Sequence, residues 1–341
     1  MQIVTYKPTD EGYRAQLRAF LQRLYHNYHQ SDFYLVEYEA AYRYCVESPH
    51  IQFIPFLLYD AGVVVGHAAL IIDDRLPPGE AFFGFFEIIE DEQLFNCLWQ
   101  ELIQVAKVQR RTLLKGPING SVWHQYRCIK ISSPVPYFKT EPMTPLYYYD
   151  FFQRQKPAAE ITYSSGQRTS FAELVQTLLS RDVSVELAQK GFHVMYQTSV
   201  GVDDLRGIAA ISQAAFDVAS WAYTSLDPQE FAALYSVDKI NVHLGGVYLM
   251  YHQTDLVGYC STIQEDNRLV CKTICLKPAF QGIGLGQALA LKIHQDAVVR
   301  GVTAVVYALV RDGNQVHNYP TADVTIFRRY AAFEFLVPAP L

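Results

Sequence analysis

The stretch that most constrains this chain is Leu276-Lys277-Pro278-Ala279-Phe280-Gln281-Gly282-Ile283-Gly284-Leu285-Gly286-Gln287. An apolar segment, Ile274 to Leu276, enters it, three glycines fall within five positions, and Leu285, Leu289, Ile293 and Ala297 leave it at four-residue spacing. That order predicts a strand, a glycine turn and an amphipathic helix. Glycines at 282, 284 and 286 let the backbone aim N–H groups inward and admit a ligand closely, and the helix start adds a partial positive charge. Such a turn suits a pyrophosphate. A dinucleotide fingerprint fits only in part: Gly282 and Gly284 match, Gln287 takes the third position, and no acid ends a strand about twenty residues on. No Gly-Lys-Ser/Thr is present, so the Walker pattern fails as well.

A second constraint is internal repetition. Two apolar runs flank Asp60-Ala61-Gly62 between Phe53 and Ile72, which predicts a hairpin, and Tyr59 is followed seven residues later by Gly66. The same spacing returns at Tyr251 and Gly258, 192 residues on, which is a domain length and not a solenoid period. In the first half a strand over Phe82–Ile89, a helix through Leu94, Leu98, Leu102 and Ala106, and Thr112-Leu113-Leu114 follow the hairpin. Leu269–Leu276, a helix over Gly284–Arg300 and Ala304–Val310 repeat that order in the second half. The chain therefore reads as one fold written twice: residues 1–168, a helical linker over 169–191 with Ser164-Ser165-Gly166 as a turn before it, and residues 192–341. The copies differ at the loop, where the first carries Glu90-Asp91-Glu92. Acids suit a helix start but repel a phosphate, so the first copy is expected to be a poor phosphate binder.

At 341 residues, 50% apolar and 18% charged, the chain has core enough for two domains. Its net charge of −6 argues against a nucleic-acid partner and favours a cationic or amine substrate. No apolar run approaches the ~20 residues of a membrane span, so no membrane partner is expected. Six scattered cysteines without a C-x-x-C pair, behind an N-terminus that reads as a strand, predict reduced thiols and a cytoplasmic location. Oligomeric state is left open.

Gln281-x-x-Gly284-x-Gly286, preceded by a strand and Pro278, resembles the loop of the Gcn5-related N-acetyltransferases (GNAT), which wraps the pyrophosphate of acetyl-coenzyme A. The resemblance covers the second copy and, through the repeat, extends faintly to the first. It implies two α/β (α+β) acyl-CoA N-acyltransferase-like domains, each a mixed, mostly antiparallel sheet flanked by helices, the first degenerate. It also implies acyl transfer from acetyl-CoA, without a metal, to a small-molecule or peptide amine. Cofactor contacts are then expected from Ile274, Leu276, Gln281, Gly282, Ile283, Gly284, Leu285, Gly286, Gln287 and Asn314. The Leu276 N–H would polarise the thioester carbonyl. Lys272-Thr273 and Phe327-Arg328-Arg329-Tyr330 resemble a tandem subgroup in which a serine follows that asparagine by two residues; here Val316 stands there. For proton transfer the expected groups are Tyr330 as the acid, with Tyr307 a weaker candidate, and Glu265 as the base, with Asp266 beside it. The second copy lacks the glutamate many relatives carry before the loop, having Cys271 and Lys272 in that region. A non-catalytic acyl-CoA binder is thus the alternative.

Other combinations carry less. Cys271 and Cys275 share a strand face as small hydrophobes, Ser121 and His124 lack the glycine of a nucleophile elbow, and His26, His29 and Asp32 lack a third nitrogen or sulfur ligand.

Overall fold

The computed structural model describes residues 1–28, 31–180, 184–216, 221–226, 228–234, 246–314 and 323–338. In chain order the elements are β1 (Gln2–Thr5), α1 (Glu11–Tyr25), α2 (Ser31–Glu47), β2 (Ile51–Asp60), β3 (Val63–Asp73), β4 (Glu80–Ile88), α3 (Glu92–Val108), β5 (Leu113–Gly116), β6 (Cys128–Ser132), α4 (Tyr147–Arg154) and β7 (Ala159–Arg168). They continue with α5 (Ala172–Leu179), α6 (Ser184–Gln189), β8 (Phe192–Gln197), α7 (Val202–Phe216), α8 (Pro228–Leu234), β9 (Gly246–His252), β10 (Asp255–Glu265), β11 (Arg268–Leu276), a 3-10 turn (Pro278–Phe280), α9 (Leu285–Val299), β12 (Ala304–Arg311) and β13 (Thr325–Leu336). Two compact units result: residues 1–162, 221–224 and 329–341, and residues 163–220 and 225–328.

Within the first unit the sheet order is β1-β2-β3-β4-β5-β13. Its pairs are antiparallel except β4 and β5, which run parallel from Glu80↔Leu113 to Phe82↔Lys115. The β2–β3 turn places Ala61 and Gly62 at φ 47° and 79°, the left-handed pair that a two-residue hairpin requires. Alternation along β4 is broken by a bulge at Phe85 (φ 51°), where the register with β3 shifts, so Phe83 and Phe86 both face one core, with α3 and α4, and Phe82 and Phe85 the other, with α1 and α2. Helix α2 was absent from the sequence reading; its buried Tyr34, Tyr38, Tyr42 and Cys45 recur at helical spacing and pack on the sheet.

The second unit repeats the plan as β7-β12-β11-β10-β9-β8, with β11 and β12 parallel and the rest antiparallel. Helix α9 buries Leu285, Leu289, Ile293 and Ala297 as their periodicity predicts, and α7 buries Leu205, Ile208 and Ile211. Full burial of each such Leu or Ile contributes roughly 1.5–3 kcal/mol. The interval 169–191 supplies α5 and α6, and Leu174 and Leu178 of α5 pack on Leu291 of α9.

The units depart from the halves read in sequence at two places. Ser164-Ser165-Gly166 is strand, not turn: Tyr307 of β12 pairs with Gly166, and Val310 pairs with Ser164. Gly166 is needed there because a Cβ would lie 2.7 Å from Val324 Cγ1 and 2.9 Å from Ile326 Cδ1. Conversely, Phe333 to Leu336 pair with Gly116 to Leu113 of β5, so residues 329–341 belong to the first unit. Each unit thus takes its sixth strand from the stretch that the sequence assigns to the other half.

Candidate functional site

In the second unit β11 ends at Leu276, the 3-10 turn follows, and Gly284 (φ 91°, ψ −1°) serves as the N-cap of α9. Gly282 is also left-handed (φ 79°), and a Cβ there would meet nothing within 4 Å, so the loop's outer side is open. Among the described residues the N–H groups of 282 to 286 have no backbone acceptor, the first intrahelical bonds being Gln287 N and Ala288 N to Gly284 O, both 3.1 Å. No side chain caps α9 and no acid occupies its first turn. Orphan donors at a helix N-terminus are the kind an anion satisfies.

The first unit contrasts at the matching helix. Asp91 caps α3, its carboxylate accepting from Gln93 N and Leu94 N at 2.8 and 2.9 Å. Donors that the second unit offers outward are satisfied there by the protein's own acid.

Loop and strand are tied together by Gln281, whose Nε2 donates to Leu276 O at 3.2 Å. Lys277 N donates to Val257 O on β10 at 2.9 Å, and Leu276 stands opposite Gly258. Amide direction alternates along a strand, so Leu276 and Ile274 turn their N–H groups from β10 toward the side of β12. There β12 is no longer in register, because the parallel ladder stops at Cys271↔Tyr307. A bulge in β12 opposite β7, between Tyr307 and Val310, accompanies the parting. It puts Leu309 at φ 58°, and Ser165 Oγ accepts the Leu309 N–H at 3.0 Å. Past Cys271 and Tyr307, β11 and β12 are no longer paired, and Ile274 and Leu276 turn their N–H groups to that unpaired side, next to the glycine loop. Ile274 (41%) and Ile283 (50%) are exposed beside it.

At the root of this parting Tyr307 hydroxyl donates to His294 Nε2 at 2.6 Å, while His294 Nδ1–H donates to Ala290 O at 2.7 Å. Burial holds His294 neutral, its pKa pushed down to about 4, and burial raises the Tyr307 phenol. The nearest sequence signal for His294 was its position beside Ile293 on the helix.

The remaining expected residues are dispersed. Asn314 is exposed just beyond β12, its N–H donating to Arg311 O at 3.1 Å, and Val316 lies outside the described residues. Glu265 is buried at the hairpin end of β10, bound to Arg268 at 3.0 Å. Arg268 begins β11 and Leu276 ends it, so about 25 Å of strand separates Glu265 from the loop. Tyr330 is fully buried in the first unit, its hydroxyl donating to Glu141. His26 Nδ1 bonds Arg23 O, His29 lies outside the described residues, and among those described no group of three His, Cys, Asp or Glu could hold a metal. Ser121 Oγ bonds His124 Nδ1 at 2.9 Å but is fully buried. No helix among the described residues is long and apolar enough to cross a membrane.

Residues 210–318 match the Acetyltransferase (GNAT) family. By sequence, no curated protein matches. Among solved structures, a tandem GNAT protein from the clavulanic acid biosynthesis pathway is similar with TM-score 0.58 and 13% identity, over 100% of this chain and 99% of that one. A GCN5-related N-acetyltransferase from Sphaerobacter thermophilus is similar with TM-score 0.51 and 12% identity, over 99% and 96%. Eis1 from Mycobacterium abscessus is similar with TM-score 0.51 and 11% identity, over 99% of this chain and 74% of that one.

Proposed function

Since residues 210–318 are a GNAT-family domain in a chain with the tandem GNAT fold, we propose that the second unit binds acetyl-coenzyme A and transfers its acetyl group to an amine. The observation that carries this reading is the pairing of orphan N–H groups at 282–286 with the parted strands β11 and β12. When bound, acetyl-CoA supplies a thioester whose carbonyl is open to attack by a neutral amine.

Each part of the site has a role on this reading. The N–H groups of Gly282, Ile283, Gly284, Leu285 and Gly286 hold the pyrophosphate, and Gln281 fixes the loop to the strand by its bond to Leu276 O. Ile274 and Leu276 direct N–H groups toward the unpaired side of β11, where Leu276 stabilises the negative charge that develops on the carbonyl oxygen. Gln287 and Asn314 contribute further contacts at the rim. The acceptor is a small-molecule or peptide amine, consistent with a net charge of −6.

A second reading, a protein that binds acyl-CoA without turnover, draws on the placement of Glu265 and Tyr330. Glu265 sits at the far end of β11 and Tyr330 is buried against Glu141, so neither offers the unpaired side of β11 a free acid or base. Thiol release from acetyl-CoA, followed over a panel of alkylamines, aminoglycosides and lysine peptides, separates the two. Amine-dependent release supports the transferase. Saturable binding with no release for any amine supports the binder, and absence of binding refutes both.

A further inference from the structure

An acid interrupts the apolar run of β4. Glu87 is 2% exposed, and its carboxylate accepts three phenol hydrogens: Tyr25 at 2.6 Å and Tyr148 at 2.9 Å on Oε2, and Tyr34 at 2.9 Å on Oε1. Two donors fill Oε2, while Oε1 keeps room for another. Among the described residues no Lys, Arg or His makes an ion pair with it. Three tyrosines from α1, α2 and α4 thus converge on one anion without a cation.

Beside Glu87 lies a cavity of about 20 Å³, whose lining includes Tyr34, Phe86, Asn119, Gln125, Tyr126 and Tyr148. Gln125 and Tyr126 are the half-buried members through which it reaches the surface. The space suits one small polar head group, and aromatic faces attract cations. Arg127, 5% exposed, also lines it with its guanidinium held over the Tyr126 ring at 3.7 Å from the centroid; its charge is kept at that ring and forms no ion pair with Glu87 among the described residues. Other titratable groups around Glu87 are its cross-strand partner His67, held neutral by burial, the phenols Tyr28, Tyr38 and Tyr147, all raised by burial, and the acid Glu90. Glu90, Asp91 and Glu92 follow after Ile88 and Ile89; Asp91 caps α3 and Glu92 pairs with Arg154 at 2.7 Å, which leaves Glu90 as the added negative charge next along the chain.

We propose that the first unit is an ammonium receptor: the –NH3⁺ end of a primary alkylamine enters this cavity and donates to Glu87 Oε1, with Tyr34, Phe86 and Tyr148 around it. This binding is independent of the acetyl-CoA site. Burial pushes the free Glu87 carboxyl up to about 7, so binding carries a pH signature. The ionised, receptive fraction rises from roughly 0.1 at pH 6 to roughly 0.9 at pH 8, and the apparent affinity strengthens about tenfold.

Thermal unfolding of the full chain with methylammonium chloride, against tetramethylammonium chloride at equal ionic strength, tests this directly. A saturable rise in Tm specific to methylammonium, about tenfold more sensitive at pH 8 than at pH 6, is expected. Glu87→Gln should abolish the rise while near-ultraviolet circular dichroism stays native. Equal responses to the two cations, a methylammonium response independent of pH, or an undiminished response in a folded Glu87→Gln protein would each overturn the assignment. The wild-type comparison decides the question even if the variant does not fold.

Discussion

Replacing Glu87 by Gln should change how stability depends on pH, and the structure sets sign and size. Burial raises the folded-state pKa of this carboxyl from 4.5 to about 7, against the opposing pull of the Tyr25, Tyr148 and Tyr34 hydrogen bonds. Below pH 4.5 both folded and unfolded chains hold the proton, and Glu87 carries no penalty. Between 4.5 and about 7 the unfolded chain has released it and the folded chain has not, so stability falls by about 1.4 kcal/mol per pH unit. Above 7 the loss levels at about 3 kcal/mol. Two buried histidines act oppositely: burial lowers His67 to about 3 and His294 to about 4, so each lends stability that is lost as pH falls from 6.5 toward those values. His294 is shared unchanged and cancels in the difference, and His67, although Glu87's cross-strand partner, is kept neutral by its own burial well below pH 4.5, so it cancels over the range compared. Urea unfolding at several pH values should therefore show Glu87→Gln gaining about 3 kcal/mol on wild type between pH 4.5 and 8, on top of a constant offset for the amide. A difference that stays flat over that range would refute the raised carboxyl.

Two further substitutions probe the frame. Ser165→Ala removes the hydroxyl that accepts Leu309 N–H at the β12 bulge; it should cost about 1 kcal/mol in denaturant unfolding and weaken acetyl-CoA binding through the parting of β11 and β12, and unchanged affinity would detach the bulge from the site. Gly84→Ala would set a Cβ 1.8 Å from Ile118 O; a loss above ~3 kcal/mol, or failure to fold, is expected in a urea titration, and a near-neutral result would contradict this packing.

Local signals carried far in this sequence. The glycine loop, the twin hairpins and the stripe of α9 all follow from periodicity and turn chemistry, and each stands where the spacing puts it. Strand exchange was not legible, because β7 and β13 are chosen by partners more than a hundred residues away, and a Ser-Ser-Gly run has the composition of a turn. Its serine holds a bulge and its glycine admits Val324, neither of which a local window reveals. Proton-transfer residues were harder still: Glu265 is near the loop in sequence but a full strand away in space. Glu87 had a visible mark, a single acid in Phe85-Phe86-Glu87-Ile88, but its tyrosines come from three helices that only the fold brings together.

The central claim is one cofactor site per chain, on the glycine loop of the second unit. Calorimetric titration of the full chain with acetyl-CoA, repeated on Gly284→Glu, tests it most directly. Gly284 sits at φ 91°, so the substitution itself should cost about 1–2 kcal/mol, which the variant's own melting curve reads. One equivalent bound by wild type and none by a folded variant is the predicted result; two equivalents, none at all, or undiminished binding by the variant would contradict it.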